Sequence, residues 1–338
     1  GSLSRSNDDA RTRVRPPNRR DRTMNAHAVT ARCLAAGTLA SLALAAAAQQ
    51  AYPSRPLRFV VPFPPSGSND IIARALVPRL TDDLRQSVVV DNRGGANGII
   101  GTDLTAKSPP DGHTFLIVGN GFSINPNIYR KLPYDTMGDF EYVGMVNEVP
   151  MTLVGRNTLP ANNFKELQAW INANKGKINL ANAGLASASH LCGMLWQAAI
   201  QVDMTTVPYK GTAPAMTDLI GGQVDLMCDQ TTNTTSQIEG KKIKAFGVTT
   251  LKRLSIPALK DLPTLDEMGE KGFLVTIWHG LYGPKGLPDE VKAKINAGLK
   301  AALRDPEFIK KQEGLGAVVI NDNRSDSAEH KKFVQSES

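Results

Sequence analysis

Apolar positions follow two rhythms from residue 57 onward. Short runs of β-branched and aromatic residues predict strands at Leu57–Val61, Val88–Asp91, Thr114–Val118, Tyr142–Val146, Thr152–Gly155, Ile178–Ala181, Thr205–Pro208, Leu226–Asp229, Ile243–Val248 and Leu281–Gly283. Longer amphipathic stretches predict helices at Ile71–Arg85, Ile99–Ala106, Phe164–Asn174, Ala188–Ile200, Thr212–Gly221, Asp289–Leu303 and Pro306–Glu313. Asn163 stands where a helix cap is needed, and Pro288-Asp289-Glu290 reads as a helix start. Strands alternating with helices imply βαβ units and mainly parallel sheets, so the expected class is α/β. No internal repeat is visible.

Two segments read as crossings between blocks. Residues 147–156 (NEVPMTLVGR) lead out of one α/β block, and residues 273–284 (FLVTIWHGLYGP) lead back. If both cross between lobes, domain I is discontinuous, about 53–152 plus 280–338, and domain II is the insert, about 153–279. The tail carries Lys331-Lys332-Phe333-Val334 shortly before Ser338, and this reading allows a final helix of domain I to be missing or cut short.

The first residues change the picture of charge. Residues 1–23 hold seven Arg and three Asp with almost nothing apolar, so they read as disordered, with Gly1-Ser2 a cloning scar and the rest upstream translated sequence. Met24 then opens a secretory signal over 24–48: Arg32 is its positive end, Cys33–Ala48 its apolar run, and Ala45–Ala48 offers small residues for cleavage. Sixteen uncharged residues fall short of the roughly 20 that a membrane span needs. Nothing before Cys33 resembles a lipidation site. The formal charge of +7 drops to +2 once these segments are set aside. No basic patch with interleaved aromatics exists, and no nucleic-acid partner is expected. Of the cysteines only Cys192 and Cys228 remain; an exported pair is compatible with one disulfide or with two separate buried thiols. No CxxC or HExxH pattern occurs, and neither metal nor cofactor is expected.

Candidate chemistry gathers where predicted strands end. Pro62–Asp70 (PFPPSGSND) is a tight loop opening a helix, which suits a carboxylate or another anion at a positive helix end. Asn179–Gly193 repeats the arrangement: Gly184, Ala186, Ser187 and Ser189 allow close backbone approach and offer hydroxyls, while His190 either orders the loop or touches ligand. Val207–Met216 brings Lys210 and Thr212 to a third helix start, and Asp229-Gln230 ends a buried strand. Asn120-Gly121 is a weaker fifth case. Ligand crevices in open α/β sheets lie at the carboxyl ends of strands, which is where all five fall.

The motifs PFPPSGSND (62–70), DNRGGANG (91–98), PPDGHT (109–114), GLASASH (184–190), PYKG (208–211) and GGQVD (221–225) together resemble the Bug-type solute-binding proteins, the extracytoplasmic receptors of tripartite tricarboxylate transporters. The resemblance covers about residues 52–335. It implies a periplasmic, two-lobed flytrap fold with two crossover strands as hinge. It also implies a small carboxylate ligand (dicarboxylate, tricarboxylate, amino acid or aromatic acid), delivery to a two-component membrane permease, and a protein that is not an enzyme; a monomer is the default expectation. Carried onto this chain, it adds Phe63, Ser66, Gly67, Ser68, Asn69 and Asp70 from the first loop and Ala186, Ser187, Ser189 and His190 from the second, with Lys210, Thr212 and Asp229 from later strand ends. One departure is Pro65-Ser66-Gly67 where relatives commonly have Pro-Gly-Gly; Ser66 adds a Cβ and a hydroxyl that contacts ligand or displaces a water. Asp229 beside an anion site either faces an amino or hydroxyl group of the ligand or pairs with Lys210.

Two other functions compete. A ligand-sensing partner of a membrane signalling protein has the same sequence features. A hydrolase using Ser187 or Ser189 with His190 lacks a GxSxG elbow, and its Ser and His lie on one turn, whereas nucleophile and base normally converge from separate segments.

Overall fold

A computed structural model describes residues 52–337. The expected signal at 24–48 and the segment before it lie outside the described residues. The first βα units run β1 (Leu57–Val61), α1 (Ser68–Leu84), β2 (Val88–Asn92), a 3-10 turn at Ala96–Gly98, α2 (Ile99–Ala106), β3 (Thr114–Gly119) and α3 (Gly121–Ile128). The chain then enters β4, a 17-residue strand from Phe140 to Arg156. Beyond it come α4 (Phe164–Ala173), β5 (Asn179–Asn182), α5 (Ala188–Ile200), β6 (Thr205–Pro208), α6 (Thr212–Ile220), β7 (Leu226–Gln230), α7 (Thr231–Glu239) and β8 (Ile243–Val248). Strand β9 (Thr276–Pro284) is followed by α8 (Asp289–Leu303), α9 (Pro306–Glu313), β10 (Val318–Val319) and α10 (Ser327–Ser336).

The strand order is β2-β1-β3-β9-β4-β7-β5-β6, with β8 and β10 also on β4. Strand β4 divides this sheet. Its first stretch, Phe140–Pro150, pairs with β9, and its last, Met151–Arg156, pairs with β7 and β8. Strands belonging to βα units are parallel: β1 with β2 and β3, β5 with β6 and β7. The two crossing strands are antiparallel to each other, as a path out and a path back must be when they lie side by side. The segments read as separate strands at 142–146 and 152–155 are therefore one long strand, and the short strand expected at 281–283 begins at Thr276.

Each half of the sheet has its own apolar core. Phe122, Phe140, Tyr142, Trp278 and Tyr282 pack in the first, and Trp196, Phe164, Leu167, Leu153 and Phe246 in the second. Helix α4 starts as its sequence predicts: the Asn163 side chain accepts from the Glu166 N–H, and the Glu166 carboxylate accepts in return from the Asn162 N–H and the Asn163 amide. Three helices escaped the sequence pattern. Helix α3 contains Pro126, α7 is mostly Thr, Asn and Ser, and α10 occupies the tail from which a helix was thought missing. Burial, not propensity, holds α7: Thr231, Thr232, Thr234 and Thr235 are all buried against neighbouring elements. On α10, Val334 and His330 are buried, the latter among Tyr142, Trp278 and Tyr282.

Cys192 on α5 and Cys228 on β7 form a disulfide with their Cα atoms 6.0 Å apart. A cross-link closing a separation of 36 residues stabilises by about 4 kcal/mol on chain-entropy grounds. A reductant should accordingly lower the free energy of unfolding by that amount, read as a lower urea midpoint, and an equal midpoint with and without reductant would contradict it. A second expectation concerns acid. Burial pushes His279 and His330 down to about 3, against about 6.5 in an unfolded chain. The unfolded chain thus takes up protons that the native imidazoles refuse, and their stabilisation is present above about pH 6.5 and lost as the pH falls toward about 3. His330→Phe should flatten this acid limb in urea titrations; a limb of undiminished slope would assign it to other groups.

Candidate functional site

The loop after β1 is held by one buried carboxylate. The Asp70 carboxyl accepts from the Ser66 N–H (3.0 Å), from Arg74 Nε (2.9 Å) and from Asn92 Nδ2 (3.0 Å), and Asn92 also donates to the Phe63 carbonyl. Burial pushes the Asp70 carboxyl up, but the hydrogen bonds from Arg74, Ser66 and Asn92 hold it below its ordinary value. Ser66 sits at φ +66°, in the left-handed region that favours glycine. This is the physical reason why Gly suits the position in the related pattern. The loop delivers Gly67, Ser68 and Asn69, the start of α1, to a cavity between the two halves of the sheet.

The facing loop is built in the same spirit. The Asn182 side chain accepts from the Gly184 N–H, and Gly184 takes φ +124°. The Ser187 hydroxyl accepts from the His190 N–H and caps α5, and the Ala186 N–H donates to His190 Nδ1. Burial pushes His190 down, which keeps its ring neutral and Nδ1 able to accept. Ser189 Oγ donates to the Cys228 carbonyl at 2.6 Å, one turn from the disulfide.

The cavity, about 60 Å³, is lined on one side by Phe63, Gly67, Ser68, Asn69, Asn120 and Gly121, and on the other by Ser187, Ser189, Thr212 and Asp229. The two halves of the sheet approach each other around this cavity. They touch in several places, Thr235 Oγ1 donating to the Leu315 carbonyl at 3.2 Å among them. The Ser68 and Thr232 hydroxyls share a hydrogen bond, Asn97 Nδ2 donates to the Ala186 carbonyl at 3.0 Å, and a side chain on Gly211 would come within 3.0 Å of Pro64. Five helices, α1, α3, α5, α6 and α7, begin at this cavity. Their first-turn N–H groups have no intrahelical partner and carry partial positive charge. Among the described residues no Lys, Arg or His lines it, and Asp229 is the one ionisable residue that does.

The remaining expected residues stand elsewhere. Ser66 and Asp70 line a groove behind the first loop together with Arg74 and Thr232. Ala186 and His190 shape the second loop from outside the cavity, and Lys210 is exposed. The suggested pairing of Asp229 with Lys210 does not occur: among the described residues no ion pair joins them. Instead Asp229 Oδ1 accepts from the Gln230 N–H (2.7 Å) and Asn233 Nδ2 (3.2 Å), while Oδ2 has no hydrogen-bond partner. Burial pushes the Asp229 carboxyl up to about 6, and the hydrogen bonds from the Gln230 N–H and Asn233 oppose it. Gln230, singled out with Asp229 at its strand end, lines the cavity too, and so do Asn97 and Asn125, which were not foreseen. Asn97 lies in the DNRGGANG motif, which was the available signal, whereas Asn125 belongs to the unforeseen helix α3. The hydrolase constellation is not assembled. His190 engages Ser187 through its backbone N–H and its ring accepts from Ala186, so neither serine meets a ring nitrogen.

Comparison with known proteins agrees with this geometry. Residues 72–338 match the tripartite tricarboxylate transporter family receptor, TctC. The structure of the periplasmic binding protein BugD is 48% identical, covers 85% of this chain and 95% of its own, and superposes with a TM-score of 0.81. MatC from Rhodopseudomonas palustris, solved with bound malate, is 32% identical over 85% of this chain and 97% of its own, with a TM-score of 0.79. Another R. palustris protein, solved with adipate, is 32% identical over 85% and 94%, with a TM-score of 0.80. These are α/β periplasmic binding proteins, and the family is one of binding proteins and not of enzymes. The chain belongs to the TctC family, the Bug-type periplasmic solute-binding receptors of tripartite tricarboxylate transporters.

Proposed function

We propose that this protein captures a small carboxylate between two lobes and presents it to a two-component membrane permease. The convergence of five helix starts on a cavity without a basic side chain carries this reading. Each helix start contributes about 0.3–1 kcal/mol toward an anion, more where water is excluded. The Ser187 hydroxyl caps α5 as an acceptor, so its own proton is free for a ligand oxygen. Malate and adipate in the related structures support the ligand class.

The lobes in this reading are residues 53–152 plus 280–338 and residues 153–279, with β4 and β9 as the hinge. Opening about these strands admits the ligand, and closing them through the Ser68–Thr232, Asn97–Ala186 and Pro64–Gly211 contacts buries it. A periplasmic location reached through the signal at 24–48, and a monomeric state, complete the proposal.

The test is thermal-shift screening against mono-, di- and tricarboxylates and aromatic acids. A bound acid at 100 times its dissociation constant should stabilise the protein by about 2.7 kcal/mol. A folded protein that responds to none of them would sink the reading. Gly121 lines the cavity, and a Cβ there meets nothing within 4 Å. Gly121→Leu should therefore fold with a melting temperature close to the parent's and bind any hit more than about tenfold more weakly, the loss of about 1.4 kcal/mol or more. Undiminished affinity in that variant would move the site away from this cavity.

A further inference from the structure

Asp229 poses a problem for any anion site. It is 1% exposed, it lines the cavity, and among the described residues no cation lines the cavity beside it. A ligand carboxylate placed beside its ionised form would set two like charges in a medium of low dielectric constant, which strongly disfavours both being ionised. We infer that Asp229 binds the ligand as a neutral acid, donating an Oδ2–H hydrogen bond to a ligand carboxylate oxygen, so that each ligand captured brings one proton from solvent into the cleft. This inference rests on the carboxylate reading above.

The hydrogen bonds decide which oxygen carries the proton. Oδ1 accepts from two donors, the Gln230 N–H and Asn233 Nδ2, so a proton there would oppose both. Oδ2 has no partner and is the free position. Bound this way, the buried acid gains the acceptor it lacks, and the ligand gains a donor without a counter-ion. Burial already pushes Asp229 up to about 6, and the negative charge of the bound ligand pushes it further in the same direction.

The groups packed around Asp229 do not supply a competing charge. Thr152 on β4, Ser189 on α5, Thr212 on α6 and Asn233 on α7 are uncharged. Ionisable residues on the surrounding elements are engaged or turned away. Asp70 pairs with Arg74, Asp218 accepts from the Tyr209 hydroxyl, and His190 accepts from Ala186. His279 on β9 bonds Asn147 and is held neutral by burial, Glu148 on β4 pairs with Arg324, and Lys210 and Glu239 are exposed.

The experiment is isothermal titration of the protein with malate and with adipate, from about pH 6.5 to about pH 8, in phosphate and in Tris, whose ionisation heats differ. The ligand carboxylates are fully ionised in this window. A proton bound in the complex and not in the free protein weakens binding by up to about tenfold per pH unit above the free pKa. The expected result is close to one proton taken up per ligand near pH 8, with affinity falling as the pH rises. Asp229→Asn places an amide N–H where the acid proton would sit and should bind with no proton uptake and no pH dependence. Asp229→Ala should bind weakly at every pH. Affinity of the parent that is flat with pH and without proton uptake overturns the inference, as does proton uptake that persists in Asp229→Asn. Loss of binding in a folded Asp229→Asn beside a pH-independent parent instead assigns Oδ2 as acceptor for a ligand ammonium or hydroxyl, and also overturns it. Should Asp229→Asn fail to fold, the proton count of the parent decides alone. If neither acid binds the parent at any pH, the titration is run with the acid that the thermal-shift screen finds, and a screen in which no acid binds defeats the carboxylate reading itself, a result distinct from binding without proton uptake.

Discussion

The antiparallel pairing of β4 with β9 is the constraint on which the rest depends. These are the two paths by which the chain passes between the halves of the sheet, and they lie against each other from Phe140 to Pro150. Because β4 continues unbroken into its pairing with β7 and β8, the orientation of one half is transmitted to the other by a continuous backbone ladder. That ladder sets which strand ends face each other. The carboxyl ends of β1 and β3 on one side and of β5, β6 and β7 on the other open onto one cavity, and the helices that follow them begin there.

An anion site made from helix starts differs in kind from one made with lysines or arginines. The donors are backbone groups, so their positions are set by the fold and no long side chain must be ordered on binding. The partial charges are delocalised over several peptide units, and no fixed cation demands a partner of one shape. Such a site accepts different acids with small changes in its polar side chains. In the function proposed for this chain those side chains are Ser68, Asn69, Asn97, Asn120 and Ser187, which line the cavity together with the ionisable Asp229.

Much of the loop chemistry is structural. Asp70, His190 and Ser189 carry the side-chain types that suggest ligand contact, yet each is bound to its own loop or to the strand beside it. Their work is to hold backbone N–H groups in place, which is what a site built of backbone donors requires. The disulfide acts in the same direction by fixing the first turns of α5 to β7, next to Asp229.

The chain's local pattern determined the βα units, most helix boundaries, the cap at Asn163 and the loops that open the site, because apolar spacing and Gly, Pro and Ser punctuation are local properties of the backbone. Position after a strand, together with the family resemblance, pointed to fifteen ligand residues, of which ten line the cavity. Tertiary structure alone decided the rest. Helix α7 exists because its threonines are buried, against their propensity. Two predicted strands are one because pairing on both edges supports an extended chain through Pro150. Whether Lys210 met Asp229, whether Cys192 met Cys228, and which of Asp70, His190 and Asn97 faced the cavity depended on contacts between segments distant in sequence. Such contacts are set by the relative placement of whole elements, and no local pattern records them.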